Sequence, residues 1–263
     1  MGRVRYAARR VDELENREVK ATTVGAWSTS LTAVFETDPD VVAQVLPPPL
    51  EPSDQPLVRV SVASVDLGRP GLPPFGAGTF AVQARHGTTI GNYPLVMPMS
   101  TEQSVIGGRE TFGEPKKLAQ VTVDRDGDTI VGRISRLGIT FVEVTGRVGD
   151  ELPLPDERER IDFYFKLLPA PDGKGLDSDP ALVYCRRTES YRTLHQVVDG
   201  EVLLRESRFD PVADIPVRRL VEVTLSERRA VQRGEIVERV PADWVLPYVH
   251  QRYDDLSPIG TDD

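Results

Sequence analysis

The alternation of β-branched and polar residues constrains this chain more than any other feature. Val58, Val60 and Val62 are separated by Arg59 and Ser61, which on a strand sends the valines to one face and the polar side chains to the other. Similar runs recur along the sequence, so short strands should dominate it. Residues 119–147 read as successive hairpins: AQVTV, a turn at Asp124-Arg125-Asp126-Gly127-Asp128, TIVGRI, a turn at Leu137-Gly138, then ITFVEVTGRV. Asp-Gly between apolar runs signals a hairpin because glycine accepts the positive φ of a tight, strand-matching turn. LHQVV, Asp199-Gly200 and EVLLRE carry the same signature, and a further hairpin is expected there.

Helical signals are fewer. Asp38-Pro39-Asp40 ahead of VVAQVL supplies a capping carboxylate, a proline suited to the first helical position and acid at the positive end of the dipole. A short helix should follow and end before Pro47. Residues 4–18 fit a polar surface helix, and ADWVLPYVHQRY a segment packed partly on the sheet. Proline and glycine cluster at LPPPLEP, at 69–76 and at 171–175, in loops too short to be domain linkers. The 263 residues therefore read as one mainly antiparallel β or α+β domain over 1–263, with residues 1–20 as a polar extension.

The formal charge of -9, from 41 acidic against 32 basic residues, argues against nucleic acid and anionic lipid, both of which want a basic surface. A basic pocket for a small carboxylate remains compatible with it. Cys185 is the one cysteine, and the histidines stand apart at 86, 195 and 250, so neither a disulfide nor a Cys/His zinc cluster is expected. The charged N-terminus lacks the apolar core of a signal peptide and no stretch reaches the length of a membrane span. A soluble, cytoplasmic protein is expected.

Residues 107–118 read GGRETFGEPKKL, with two adjacent lysines directly after a proline. Pro115 fixes its own φ and can hold the approach to Lys116 in one geometry. Like charges side by side, and burial, both favour the neutral amine, which is the nucleophilic form. An isolated Lys-Lys pair usually belongs on a solvated loop, since lysine is rarely buried. Spacing alone does not separate these readings.

Gly108-Arg109-Glu110 followed by Pro115-Lys116-Lys117-Leu118 resembles the signature of the acetoacetate decarboxylase superfamily. The resemblance continues upstream through Thr37-Asp38, Val45-Leu46-Pro47, Pro49-Leu50-Glu51 and Gln55-Pro56-Leu57-Val58-Arg59, and downstream through Phe165-Lys166-Leu167-Leu168-Pro169 and Asp214-Ile215-Pro216-Val217. It implies a closed, antiparallel β-cone or barrel-like subunit with few peripheral helices, assembled as a homo-oligomer and working without a cofactor or metal. It further implies that Lys116 is the Schiff-base lysine and Lys117 the neighbour that tunes it, the family's enzyme being a standing example of such activation. Arg109 and Glu110 would sit near the pocket entrance to the lysine segment, Glu110 orienting a proton or the amine; the structural alternative, which weighs somewhat more, has them paired with each other or with strand neighbours.

The chain departs from the family's decarboxylases at three places. Trp27 and Ser28 occupy the segment where those enzymes carry an arginine, Ser61 stands where they have a glutamate, and the loop Pro73-Pro74-Phe75-Gly76-Ala77-Gly78 lacks their second glutamate. Trp27, Ser28, Phe75 and Arg109 are then the candidate substrate-binding residues, and a pocket rebuilt with Trp27 and Phe75 would be more apolar. Decarboxylation of a β-keto acid is the leading expectation. An iminium also serves an aldolase or dehydratase acting on an α-keto acid, and a ligand-binding relative without turnover is a third reading.

Other constellations carry less. Gly108 and Gly113 have the offset of a phosphate loop, but Glu114-Pro115-Lys116 follows where Gly-Lys-Ser/Thr is required. Asp124–Asp128 lacks the closing glutamate of a calcium loop. His195 and His250 have no triad partners in sequence, and the acidic residues from Asp254 to Asp263 read as a solvated end.

Overall fold

The computed structural model describes residues 24–254 apart from 69 and 72, together with residues 4, 6–8 and 10. The N-terminal helix expected over 4–18 falls for the most part outside them. Strand β1 (Val24–Glu36) leads through helix α1 (Pro39–Val45) and the short β2 (Glu51–Pro52) to β3 (Leu57–Asp66), β4 (Phe75–His86) and β5 (Thr89–Met99). Helix α2 (Glu102–Phe112) precedes β6 (Lys116–Leu118). Then come β7 (Gln120–Asp126), β8 (Thr129–Arg136), β9 (Ile139–Glu151), β10 (Arg158–Lys166), β11 (Ala181–Leu204), β12 (Arg219–Arg239) and helix α3 (Ala242–Val245), which tightens into a 3-10 helix over Leu246–Gln251.

Seven strands close on themselves in the order β10-β5-β4-β3-β1-β12-β11, and pairing of β10 with β11 shuts the ring. The far half of β11 runs on to pair with β9, which begins the meander β9-β8-β7. Closure leaves each barrel strand with one face toward the lumen and one toward the outside. On β3 the valines 58, 60 and 62 are fully buried in the main core with Leu31, Phe35 and Phe80. That core also takes in Ile130, Ile134, Phe141 and Val142 of the meander, so the meander covers the outer face of this wall. The alternate residues Arg59, Ser61, Ala63 and Val65 line the lumen. The period-two pattern on β3 thus separates a packed core from a cavity.

The first two turns form as expected. Gly127 closes β7–β8 at φ 61°, and Leu137-Gly138 closes β8–β9 with φ of 51° and 83°, both central residues lying in the left-handed region that a two-residue hairpin loop requires. The hairpin expected at Asp199-Gly200 does not exist. β11 continues through it as one strand, with a register shift against β9 between Val198 and Glu201. This is a β-bulge: Asp199 takes φ 51°, its carboxylate pairs with Arg147 across the ladder, and Gly200 lies against Val223.

Helix α1 starts as the sequence implies, with Asp38 at the N-cap and Pro39 in the first turn. The Asp38 carboxylate binds Arg218 at 2.8 and 2.7 Å and leaves the helix backbone uncapped. Helix α2 was not expected, because Gly107 and Gly108 interrupt its sequence and glycine costs about 1 kcal/mol in a helix. Among the described residues no helix is long and apolar enough to cross a membrane.

Candidate active site

Lys116 reaches the lumen through the connection from α2 to β6. The helix ends at Gly113, whose φ of 81° puts it in the left-handed C-cap conformation, and its N–H bonds the carbonyl of Arg109. Glu114 and Pro115 follow, and β6 then pairs in parallel with β5, Met97 opposite Lys116 and Pro98 opposite Lys117. Adjacent strand residues point to opposite faces, so the two lysines part company. The Lys116 side chain lines a lumen cavity of about 190 Å³. Lys117 ends in a separate buried charge cluster, 3.0 Å from Asp210 and 3.1 Å from Asp254, and donates to the Phe209 carbonyl at 2.7 Å.

The partner of Lys116 is Glu114, only 1% exposed, whose Oε2 lies 2.7 Å from Nζ. Oε2 accepts no aligned hydrogen bond, so the approach is a contact of charges. The other oxygen accepts from Arg187 at 3.0 Å and Gln232 at 3.2 Å. Burial opposes the charged form of Glu114, but the Lys116 and Arg187 charges outweigh it and hold the carboxyl below the usual range. Gly108 makes the arrangement possible: a β-carbon there would stand 2.0 Å from Glu114 Oε2 and 2.6 Å from Lys116 Nζ.

A charged network backs the cavity. Asp162 on β10 accepts from Arg160 at 2.7 Å and Arg187 at 2.8 Å, and Glu189 on β11 pairs with Arg228 and with Arg160 at 3.2 Å. Arg59 differs from these arginines. It lines the cavity, and among the described residues its side chain makes neither an ion pair nor a hydrogen bond, although the Glu189 charge acts on it. Burial, with the Arg160 and Arg228 charges close by, pushes its guanidinium down to about 10. Around the cavity five cations, Lys116, Arg59, Arg160, Arg187 and Arg228, face three carboxylates, Glu114, Asp162 and Glu189. The site favours an anion.

This geometry corrects several expectations. Ser28 and Phe75 do line the cavity. Trp27 is one residue from Ser28 and so faces away; its ring stacks on Arg192, 3.6 Å from the guanidinium, in an outer hollow. Glu110 is exposed on α2. Arg109 stays out of the cavity and donates to the Lys116 carbonyl at 3.0 Å, gripping the nucleophile's backbone from behind with its guanidinium over Tyr253. The cavity is more charged than the sequence implied, because Arg59, Asp162, Arg187 and Arg228 reach it from other strands. Asp254 is no solvated tail residue, since it pairs with Lys117 and with Arg136. Among the described residues no group of three or more His, Cys, Asp or Glu side chains is arranged to hold a metal ion.

The family model for acetoacetate decarboxylase matches residues 13–240. The chain belongs to the acetoacetate decarboxylase family. It is 29% identical over 201 residues to the acetoacetate decarboxylase of Burkholderia mallei, covering 73% of this chain and 78% of the relative. Among solved structures, an acetoacetate decarboxylase superposes with a TM-score of 0.70 at 22% identity over 83% of this chain and 92% of the other. The enduracididine biosynthesis enzyme MppR, complexed with the condensation product of pyruvate and imidazole 4-carboxaldehyde, does so at 0.70 with 15% identity, over 90% and 97%. These likenesses bear out the closed β architecture that the lysine motif implied. Family membership supports a lyase.

Proposed function

We propose that this chain is a Schiff-base carbon–carbon lyase that decarboxylates a β-keto acid through Lys116. The observation that carries the reading is the Lys116 amine inside an arginine-rich cavity, 2.7 Å from the buried Glu114. Glu114 Oε2, 2.7 Å from Nζ, takes the ammonium proton as the substrate carbonyl arrives. The amine adds to the carbonyl carbon, water leaves, and an iminium forms. The electrons of the bond to the carboxylate carbon flow into that iminium as carbon dioxide departs, giving an enamine. The enamine carbon is then protonated, and hydrolysis of the iminium releases the ketone and restores the amine.

Glu114 also supports a second reading, aldol or dehydration chemistry on an α-keto acid. Decarboxylation makes its carbanion without a base, whereas those reactions must remove a proton beside the iminium, and a buried carboxylate next to the amine is suited to that. The Burkholderia relative's name favours the first reading, and the MppR product complex illustrates the second on the same architecture.

Incubation with 3-oxo and 2-oxo acids followed by borohydride should fix a covalent mass increase on the peptide holding Lys116, and Lys116→Ala should abolish it. Absence of any adduct across both sets would refute the Schiff base and favour a ligand-binding relative. Carbon dioxide release from 3-oxo acids, against proton exchange at C3 of 2-oxo acids, separates decarboxylase from aldolase.

A further inference from the structure

The polarity of the cavity runs along β3. Met97, the β5 partner of Lys116, lies between the pairs Phe80–Val96 and Ala77–Met99, at the level of Thr79, and Thr79 pairs with Ser61. The lysine therefore enters level with Ser61. Two residues back along β3, roughly 7 Å away by strand rise, stands Arg59, whose side chain lines the cavity within reach of the Glu189 charge but makes no hydrogen bond or ion pair among the described residues. In the other direction the β3–β4–β5 side of the wall is apolar, lined by Ala63, Val65, Leu67, Phe75, Ala77 and Met99, while Ser28 and Ser30 of β1 and Arg228 of β12 keep the adjoining side polar. That end is open, since Ala26, Ser28 and Leu67 are shared with an outer hollow of about 530 Å³ whose wall carries Asp66, Arg192 and Glu227.

From this gradient we infer that the site takes carboxylic acids with an apolar tail, Arg59 holding the carboxylate and the tail running past Ser61 toward the Ala63–Leu67 wall. The Arg59 side chain is half-buried and, among the described residues, its donors are not taken up by a hydrogen bond or ion pair, so a carboxylate gains a charge-assisted bond without breaking another pair. A tail along the alanine and valine wall leaves water for an apolar surface, worth up to about fourfold in affinity per methylene. Asp66 lies seven residues from Arg59, roughly 23 Å by strand rise and beyond the reach of an eight-carbon acid, so the gain should continue through octanoate. The inference rests on the Schiff-base reading for its chemistry but not for its binding.

Calorimetric titration of the wild-type protein with acetate, butanoate, hexanoate and octanoate, and with hexan-1-ol, tests it without a reactive carbonyl. Expected is a severalfold fall in Kd at each two-carbon step from acetate through octanoate. Arg59→Gln should weaken hexanoate by about 10-fold or more and leave hexan-1-ol unchanged. A flat wild-type series, or equal losses for acid and alcohol in Arg59→Gln, overturns the inference, and the wild-type series needs no variant to fold. Borohydride trapping in parallel keeps the two questions apart: adducts with a flat series refute the tail site alone, and a graded series without adducts refutes the Schiff base alone.

Discussion

A β-carbon on Gly108 would stand 2.0 Å from Glu114 Oε2, so the helix before the lysine strand must carry glycine where the ion pair folds back against it. Gly107, its neighbour, has open space at the same position. The two glycines should therefore respond in opposite ways to alanine. Gly107→Ala is expected to stabilise by up to about 1 kcal/mol through helix propensity and to keep activity. Gly108→Ala should displace the carboxylate or the amine and reduce borohydride trapping at Lys116 about 100-fold, the usual penalty for a misplaced reacting group. Circular dichroism melts beside trapping rates separate the effects.

Acid should unfold this protein through the carboxylates of the cavity wall. Burial raises Glu114, Asp162 and Glu189, but neighbouring cations more than offset it: Lys116 and Arg187 for the first, Arg160 and Arg187 for the second, Arg160 and Arg228 for the third. All three are held lower in the native state than in the unfolded chain, so the unfolded chain binds protons first as the pH falls. Their contribution is complete above about pH 5, starts to fade near pH 4 and is lost as the pH passes through the native values. The thermal midpoint should be nearly flat between pH 5 and 8 and fall steeply below 4. Glu189→Gln should flatten the acid limb and cost about 3 to 5 kcal/mol at neutral pH, because Arg228 and Arg160 lose a buried partner.

The β-bulge on β11 gives a prediction about the fold alone. A β-carbon on Gly200 would lie 2.6 Å from Val223 Cγ2, in a wall where Val223 is 4% exposed. Gly200→Ala should destabilise by about 1 to 3 kcal/mol, as overpacking does, without changing trapping at Lys116. Urea denaturation measures it, and an unchanged midpoint would mean that the bulge relaxes freely.

The same segment shows where sequence reading stopped. Alternation located β3, β7, β8 and β9, because each has one face in the core. It could not distinguish a bulge from a turn at Asp199-Gly200, since both use a left-handed residue next to glycine and only the partner strand decides. Lys116 was legible through its motif. Arg59 was visible as a polar residue between valines, but a solvated outer face and a cavity wall give the same alternation. Asp162 and Arg187 lie far from Lys116 in the chain and come to it only through barrel closure, so nothing local marked them, whereas Glu114 stands two residues before the lysine and is weighed there only against a phosphate loop. Trp27 was misplaced by a single residue, enough on a strand to reverse its face.

Lys117 offers the sharpest test of how the lysine pair works. If it acts chiefly as an anchor, its role lies in the cluster that ties Asp210, Asp254 and Arg136 behind β6. Asp210 is 1% exposed and Asp254 27%, so the partners should not contribute equally. Lys117→Met strips a buried cation from Asp210 and should cost about 3 kcal/mol or more in a urea titration. Asp254→Asn leaves Lys117 and Arg136 still paired with Asp210 and should cost about 1 kcal/mol or less. Both folded variants should retain reductive trapping at Lys116 within about 10-fold, because the Lys116–Glu114 contact lies on the other face of the strand. A Lys117→Met protein with an unchanged urea midpoint and lost trapping would reverse that assignment and make its charge, acting through the strand, the element that readies Lys116.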